Sequence, residues 1–192
     1  MSSSVFGGSV ARWLVEQHIA EDTIAFSEEH NPADDLRAYL NRLHALFCRE
    51  FSEDGMEDLL ASGATMSVGL LHYDAAECLW AGDSPIYVSR KSVSGYETEK
   101  ITRPDHDPFG RLTNCFGAGS KFDLRQRSVR ISSGDIITVA SDGPAIAEQV
   151  LDGIYQKHSF SKAALEEMIR ISAWGCFWDD LSIAAGQAMP AG

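Results

Sequence analysis

No two of the four cysteines, Cys48, Cys78, Cys115 and Cys176, stand at the spacing of a zinc knuckle or a redox dithiol. That excludes a metal ribbon or dithiol centre. A chain of 192 residues can build a core without disulfides, so reduced, mostly buried thiols are expected. Apolar runs near the roughly 20 residues of a membrane span are absent as well. Met1-Ser2-Ser3-Ser4 carries no basic segment leading into an apolar one, so the expectation is a cytoplasmic protein with no membrane partner. Positive charge is scarce: 16 Lys and Arg against 28 Asp and Glu leave a formal charge of -12. Without a basic footprint, nucleic acid is excluded as a main partner. Internal repeats are absent, and low complexity is confined to the serine start and the Ala/Gly/Pro end. One domain over 1–192 is expected, with flexible tails at 1–4 and 187–192.

What is present reads as two helices, a series of strands, and two more helices among the last strands. Val10, Trp13, Leu14, Gln17 and Ile19 begin a helical pattern behind Ser9. Asn31 caps a second helix, Pro32 takes its first position, and Asp34 and Asp35 meet the positive end of the dipole. Leu36, Tyr39, Leu40, Leu43 and Phe47 then form one apolar stripe, with His44 at its boundary. Strands are expected over 65–72 and 77–80, at 86–88 and over 92–101 with Gly95 at a turn or bulge. A loop rich in proline and glycine follows over 102–120. Segments 127–131 and 136–140 read as a paired hairpin around Ser132-Ser133-Gly134-Asp135. Helices over 144–151 and 161–172 and a short buried strand over 181–185 complete the reading. Regular β-α-β alternation is absent, so antiparallel sheet covered by helices is expected.

Three acidic segments carry the chemistry: Gly82-Asp83-Ser84, Ser141-Asp142-Gly143 and Asp179-Asp180-Leu181. Taken singly, each is an ordinary turn or helix entry. Yet Asp142 follows the apolar run 136–140 after Ser141 alone, and Asp179-Asp180 directly precedes Leu181-Ser182-Ile183. Carboxylates gathered at neighbouring strand ends repel one another unless protonated or bridged by a cation, and hard oxygen donors suit magnesium or manganese.

The order of these segments resembles the type-2C (PPM) metal-dependent protein phosphatases. Gly63-Ala64-Thr65 resembles that family's Gly-Ser/Thr-Thr opening, and Ala81-Gly82-Asp83-Ser84-Pro85 its Val-Gly-Asp-Ser-Arg segment, with Pro85 in place of arginine. Thr102 to His106 is similar to its Leu-Thr-x-Asp-His stretch, and Leu112 to Gly117 to Leu-Thr-Arg-x-Leu-Gly. Gly134-Asp135 through Ser141-Asp142-Gly143, and Asp179-Asp180-Leu181-Ser182-Ile183, match two further motifs. The resemblance spans about residues 5–186 with every motif in order.

The resemblance implies an α+β fold: a four-layer α-β-β-α sandwich of two antiparallel sheets flanked by helices, lacking the family's usual first two strands. It implies Asp142 and Asp179 as direct ligands of one magnesium or manganese, with Gly143 and Asp83 as weaker candidates; no catalytic residue is assigned. The family's first Asp-Gly metal loop and phosphate-binding arginine have no counterpart, because no carboxylate precedes Glu16 and Val5-Phe6-Gly7-Gly8 runs directly into the first helix. A second metal site is therefore incomplete. Asp107 to Arg111 is short where the family often carries a flap. Two readings stay open: a serine/threonine phosphatase weak or inactive in this form, or a degenerate phosphatase fold with a binding or regulatory role. The partner is then a phosphoprotein or a regulatory protein. The loss of two strands also implies an exposed sheet edge that favours a homodimer.

Overall fold

The computed structural model describes residues 7–14, 31–53, 62–72, 74–117, 122–141, 146–173 and 183–189. Two helices, α1 (Gly7–Leu14) and α2 (Pro32–Glu53), precede six strands: β1 (Met66–His72), β2 (Ala75–Ala81), β3 (Ile86–Ser92), β4 (Gly95–Lys100), β5 (Arg125–Arg130) and β6 (Ile136–Ala140). Helices α3 (Glu148–His158) and α4 (Lys162–Ala173) and strand β7 (Ile183–Gln187) follow. The strands form two antiparallel sheets, ordered β1-β2-β5 and β4-β3-β6-β7.

Three apolar clusters separate the layers, which gives the expected α-β-β-α sandwich. In α2, Asn31 Oδ1 accepts the Ala33 N–H at 3.0 Å, and Asp34 and Asp35 occupy the first turn. The stripe Leu36, Tyr39, Leu40, Leu43 and Phe47 packs with α1 residues Val10, Trp13 and Leu14 on Met66 and Leu79 of the first sheet. Between the sheets lie Ala76, Cys78, Ile86, Val88, Val129 and Ile137. Tyr87 and Ile136 of the second sheet pack on Leu151, Ile154, Tyr155 and Met168 from α3 and α4. Alternation explains the division: in β3, Ile86 and Val88 face the other sheet while Tyr87 faces the helices. Among the described residues no helix is long and apolar enough to cross a membrane.

The expected hairpin between 127–131 and 136–140 does not form. β5 pairs with β2 and β6 with β3 and β7, so the two segments belong to different sheets. The burial patterns explain it. β5 buries only Val129, which suits an edge, whereas β6 is apolar on both faces and needs an interior position covered on both sides. Asp135, only 3% exposed, holds the crossover. Its Oδ2 accepts the Ser132 N–H at 2.8 Å and its Oδ1 the Lys91 N–H at 2.8 Å.

Two boundaries also move. Strand 92–101 is the second arm of a hairpin: β3 runs to Ser92, Ser92 pairs with Gly95, and Gly95 takes the tight turn at φ 131°. The helix expected over 144–151 is Glu148–His158, carried on by Ile154 and Tyr155 facing the sheet. The closing strand reaches Gln187, and Leu181 and Ser182 lie outside the described residues.

Candidate functional site

The β2–β3 connection is built around a glycine. Gly82 has φ 107°, and a Cβ there would meet Thr65 Cγ2 at 2.6 Å, so only glycine fits the turn without strain. Thr65 Oγ1 and Ser84 Oγ share a hydrogen bond at 2.7 Å, and the Ser67 hydroxyl donates to Ser84 O at 2.6 Å. These bonds fix Asp83 between them. Its Oδ2 lies 2.8 Å from His106 Nε2, while its Oδ1 is buried and has no hydrogen-bond partner among the described residues. A buried carboxylate oxygen left bare is costly, and it is a ready donor for a hard cation.

Asp105 serves a different purpose. Its Oδ2 accepts the Gly82 N–H at 3.1 Å and Asn114 Nδ2 at 2.7 Å, and its Oδ1 accepts Arg125 Nε at 3.2 Å. The Asp105 N–H returns a bond to Gly82 O at 3.0 Å. Asn114 in turn bonds the backbone of Asp123 in both directions, each at 2.9 Å. The Asp105 carboxylate is thus saturated and structural: it locks the Gly82–Asp83 turn to the loop that carries His106.

The segment expected to be short is a compact loop. Asp107 Oδ1 accepts the N–H groups of Phe109 at 2.8 Å and Arg111 at 2.9 Å, and Oδ2 accepts Arg111 Nε at 2.7 Å. The Arg111 backbone N–H, followed by its guanidinium and the Phe109 N–H, holds the Asp107 carboxyl below its ordinary range. The Arg111 guanidinium lies over the Phe109 ring, 5.4 Å from its centroid. The loop is preorganised, with Phe109 held in solvent.

One end of the ladder between β6 and β7 lies here. Ala140, the last residue of β6, donates its N–H to Pro85 O at 3.1 Å and pairs with Ile183, the first residue of β7. The chain therefore leaves β6 and enters β7 beside the Asp83 turn. Asp142, Gly143 and Asp179 lie outside the described residues. Among the described residues no group of three His, Cys, Asp or Glu side chains is placed to hold a metal. His106, Asp105, Asn114 and Arg125 were not singled out in the sequence. The one signal for the first two was the Leu-Thr-x-Asp-His-like stretch. The distance along the chain from Asp83 to His106, 23 residues, hid the contact.

No family model and no curated protein sequence matches the chain. Solved structures do. PppA, a key regulatory component of the T6SS in Pseudomonas aeruginosa, superposes with TM-score 0.73 at 23% identity, over 96% of this chain and 81% of that one. The Mycobacterium tuberculosis serine/threonine phosphatase PstP/Ppp superposes with TM-score 0.77 at 16% identity, over 98% and 85%. The catalytic domain of the serine/threonine phosphatase PstP in complex with 2 manganese ions gives 0.76 at 16%, over 99% and 85%. These likenesses identify the fold as that of the PPM-type phosphatases.

Proposed function

We propose that this chain, with its PPM-type phosphatase fold, is a metal-dependent serine/threonine phosphatase holding one magnesium or manganese between Asp142 and Asp179. The observation that carries this is the Ala140 junction. Asp142 is two residues beyond Ala140 and Asp179 four before Ile183, and Ala140 and Ile183 are paired. Asp83 is two residues from Pro85, whose carbonyl binds the same Ala140. This reading gathers three carboxylates at one end of the sandwich, and it is supported by Asp83 Oδ1, which is buried and has no hydrogen-bond partner among the described residues.

A bound divalent cation supplies an acidified water and neutralises phosphoryl oxygens. The protein's part is positional. Asp142 and Asp179 hold the ion, with the Gly143 backbone a weaker donor. Asp83 stands behind them, oriented by His106 Nε2, and Asp105 fixes the turn that presents it. The substrate in this reading is a phosphoprotein.

A regulatory reading has its own support: the fold is shared with PppA, described as a regulatory component. Hydrolysis of an aryl phosphate with and without manganese separates the two. Manganese-dependent turnover lost in Asp142→Ala supports the enzyme. Manganese binding with no turnover leaves the regulatory module.

A further inference from the structure

The two flanks of the sandwich are finished in opposite ways. On one, β5 and β4 carry Arg125, Arg127, Arg130, Glu97, Glu99 and Lys100. Arg127 Nη2 pairs with Glu99 Oε1 at 2.8 Å across the sheets, and Arg90 Nη1 donates to Arg130 O at 2.8 Å. Charge along an edge discourages strand addition. The other flank ends in β1, Met66-Ser67-Val68-Gly69-Leu70-Leu71-His72, and β7, Ile183-Ala184-Ala185-Gly186-Gln187. His72 is the one titratable side chain in either strand, and neither contains proline.

These two strands share one flank. A Cβ on Gly186 would lie 3.0 Å from Leu71 Cδ1, and one on Gly69 would lie 3.0 Å from Ile137 Cγ2. Hydrogen-bond phase shows which backbone groups face outward. The Ile131 N–H donates to Asp74 O, so Ala76, Cys78 and Trp80 bond β5 while Ala75, Glu77, Leu79 and Ala81 bond β1. Their partners in β1 are His72, Leu70, Val68 and Met66, leaving Ser67, Gly69 and Leu71 turned outward. In the other sheet, the Ala140 N–H to Pro85 O sets the phase that turns Ile183, Ala185 and Gln187 outward. Among the described residues β1 has β2 as its single neighbour and β7 has β6. Val68, Leu70 and Leu71 stay only half-buried.

We infer that the β1/β7 flank is where a second copy of this chain docks, extending both sheets across one two-fold axis. An antiparallel β1 pair centred on Gly69 sets Val68 opposite Leu70 and Ser67 opposite Leu71 of the second copy. Val68 and Leu70 then meet apolar to apolar, Ser67 meets Leu71, and no charge faces its like. The neutral flank is the surface on which two copies of a chain of formal charge -12 can meet without local repulsion. Charge elsewhere opposes association at low salt, so pairing strengthens at moderate ionic strength.

Light scattering after size-exclusion chromatography of the full chain at moderate salt tests this, together with amide exchange at several protein concentrations. Twice the mass of one chain is expected, with amides of Ser67, Gly69, Leu71 and Ala185 protected more as concentration rises. Ser67→Pro with Ala185→Pro removes one outward N–H from each strand and spares the ladders to β2 and β6, and it should weaken dimerisation at least about tenfold. Ser67→Ala, which loses only the hydroxyl bond to Ser84 O, should still dimerise. If the proline variant fails to fold, the concentration-dependent exchange of the unmodified chain decides. A monomer at high concentration, a dimer indifferent to both prolines, or exchange at these amides that ignores concentration would each overturn the proposal.

Discussion

His106 Nε2 lies 2.8 Å from Asp83 Oδ2 and so fixes one oxygen of a carboxylate whose other oxygen, Oδ1, is buried and unpaired among the described residues. The imidazole orients Asp83 without using up its capacity as an acceptor. A group that supports a metal site from behind typically changes affinity by about ten- to a hundredfold when lost. Asp83→Ala should therefore weaken manganese binding by about tenfold without abolishing it, read from the free-ion signal in electron paramagnetic resonance. An unchanged affinity would remove Asp83 from the site.

Gly82 and Asp105 set the turn that presents Asp83, and both are predicted to matter first for stability. Gly82→Ala forces a Cβ to within 2.6 Å of Thr65 Cγ2 at a φ of 107°, which should cost about 2 kcal/mol. Asp105→Ala strands the buried Gly82 N–H and takes one partner from the Asn114 amide and from the half-exposed Arg125 guanidinium, and about 2 kcal/mol is expected. Urea denaturation of each variant measures both losses.

Alkaline pH should unfold the protein through three buried groups. Burial pushes the Cys78 thiol up to about 12, with Glu77 adding to it, and pushes the Tyr87 and Tyr155 hydroxyls to about 12 as well. In the unfolded chain these groups ionise near 9 and 10, so between there and pH 12 the unfolded state binds fewer protons than the folded one. Stability is full below about pH 9 and falls as pH rises, by up to about 1.4 kcal/mol per pH unit for each group. Tyr155→Phe removes one contributor but leaves Thr138 Oγ1, 2.6 Å from the hydroxyl, without its partner. That variant should be less stable at pH 7, by about 1 kcal/mol, and flatter in its alkaline limb. Thermal melts from pH 7 to 11 test both signs.

Acid should open the Asp107 loop locally. The carboxyl is held below its ordinary value, near 3.8, by N–H groups that bind only its charged form well. The loop's stabilisation is therefore present above that value and is lost as pH falls through the lower folded value. Exchange of the Phe109 and Arg111 amides should accelerate there ahead of global unfolding. In Asp107→Asn it should be fast at every pH.

Local signals carried much of this structure. The α2 stripe, the β1–β2 hairpin and the apolar run of β6 follow from side-chain period alone, and the order of the short motifs carried the sandwich. Partner choice was not legible. Strands 127–131 and 136–140 are joined by a tight turn, and only the difference between an edge strand and a strand buried on both faces sends them to separate sheets. The site was half legible for a similar reason. Asp83 stands out beside glycine, whereas the saturation of Asp105 by groups from Gly82, Asn114 and Arg125 depends on contacts between distant parts of the chain.

Calorimetric titration of manganese into the full chain tests the single-ion account most directly. The predicted result is one ion per chain, abolished by Asp142→Ala and by Asp179→Ala, with water completing the coordination. Two tight ions per chain, or binding that survives both substitutions, would contradict it.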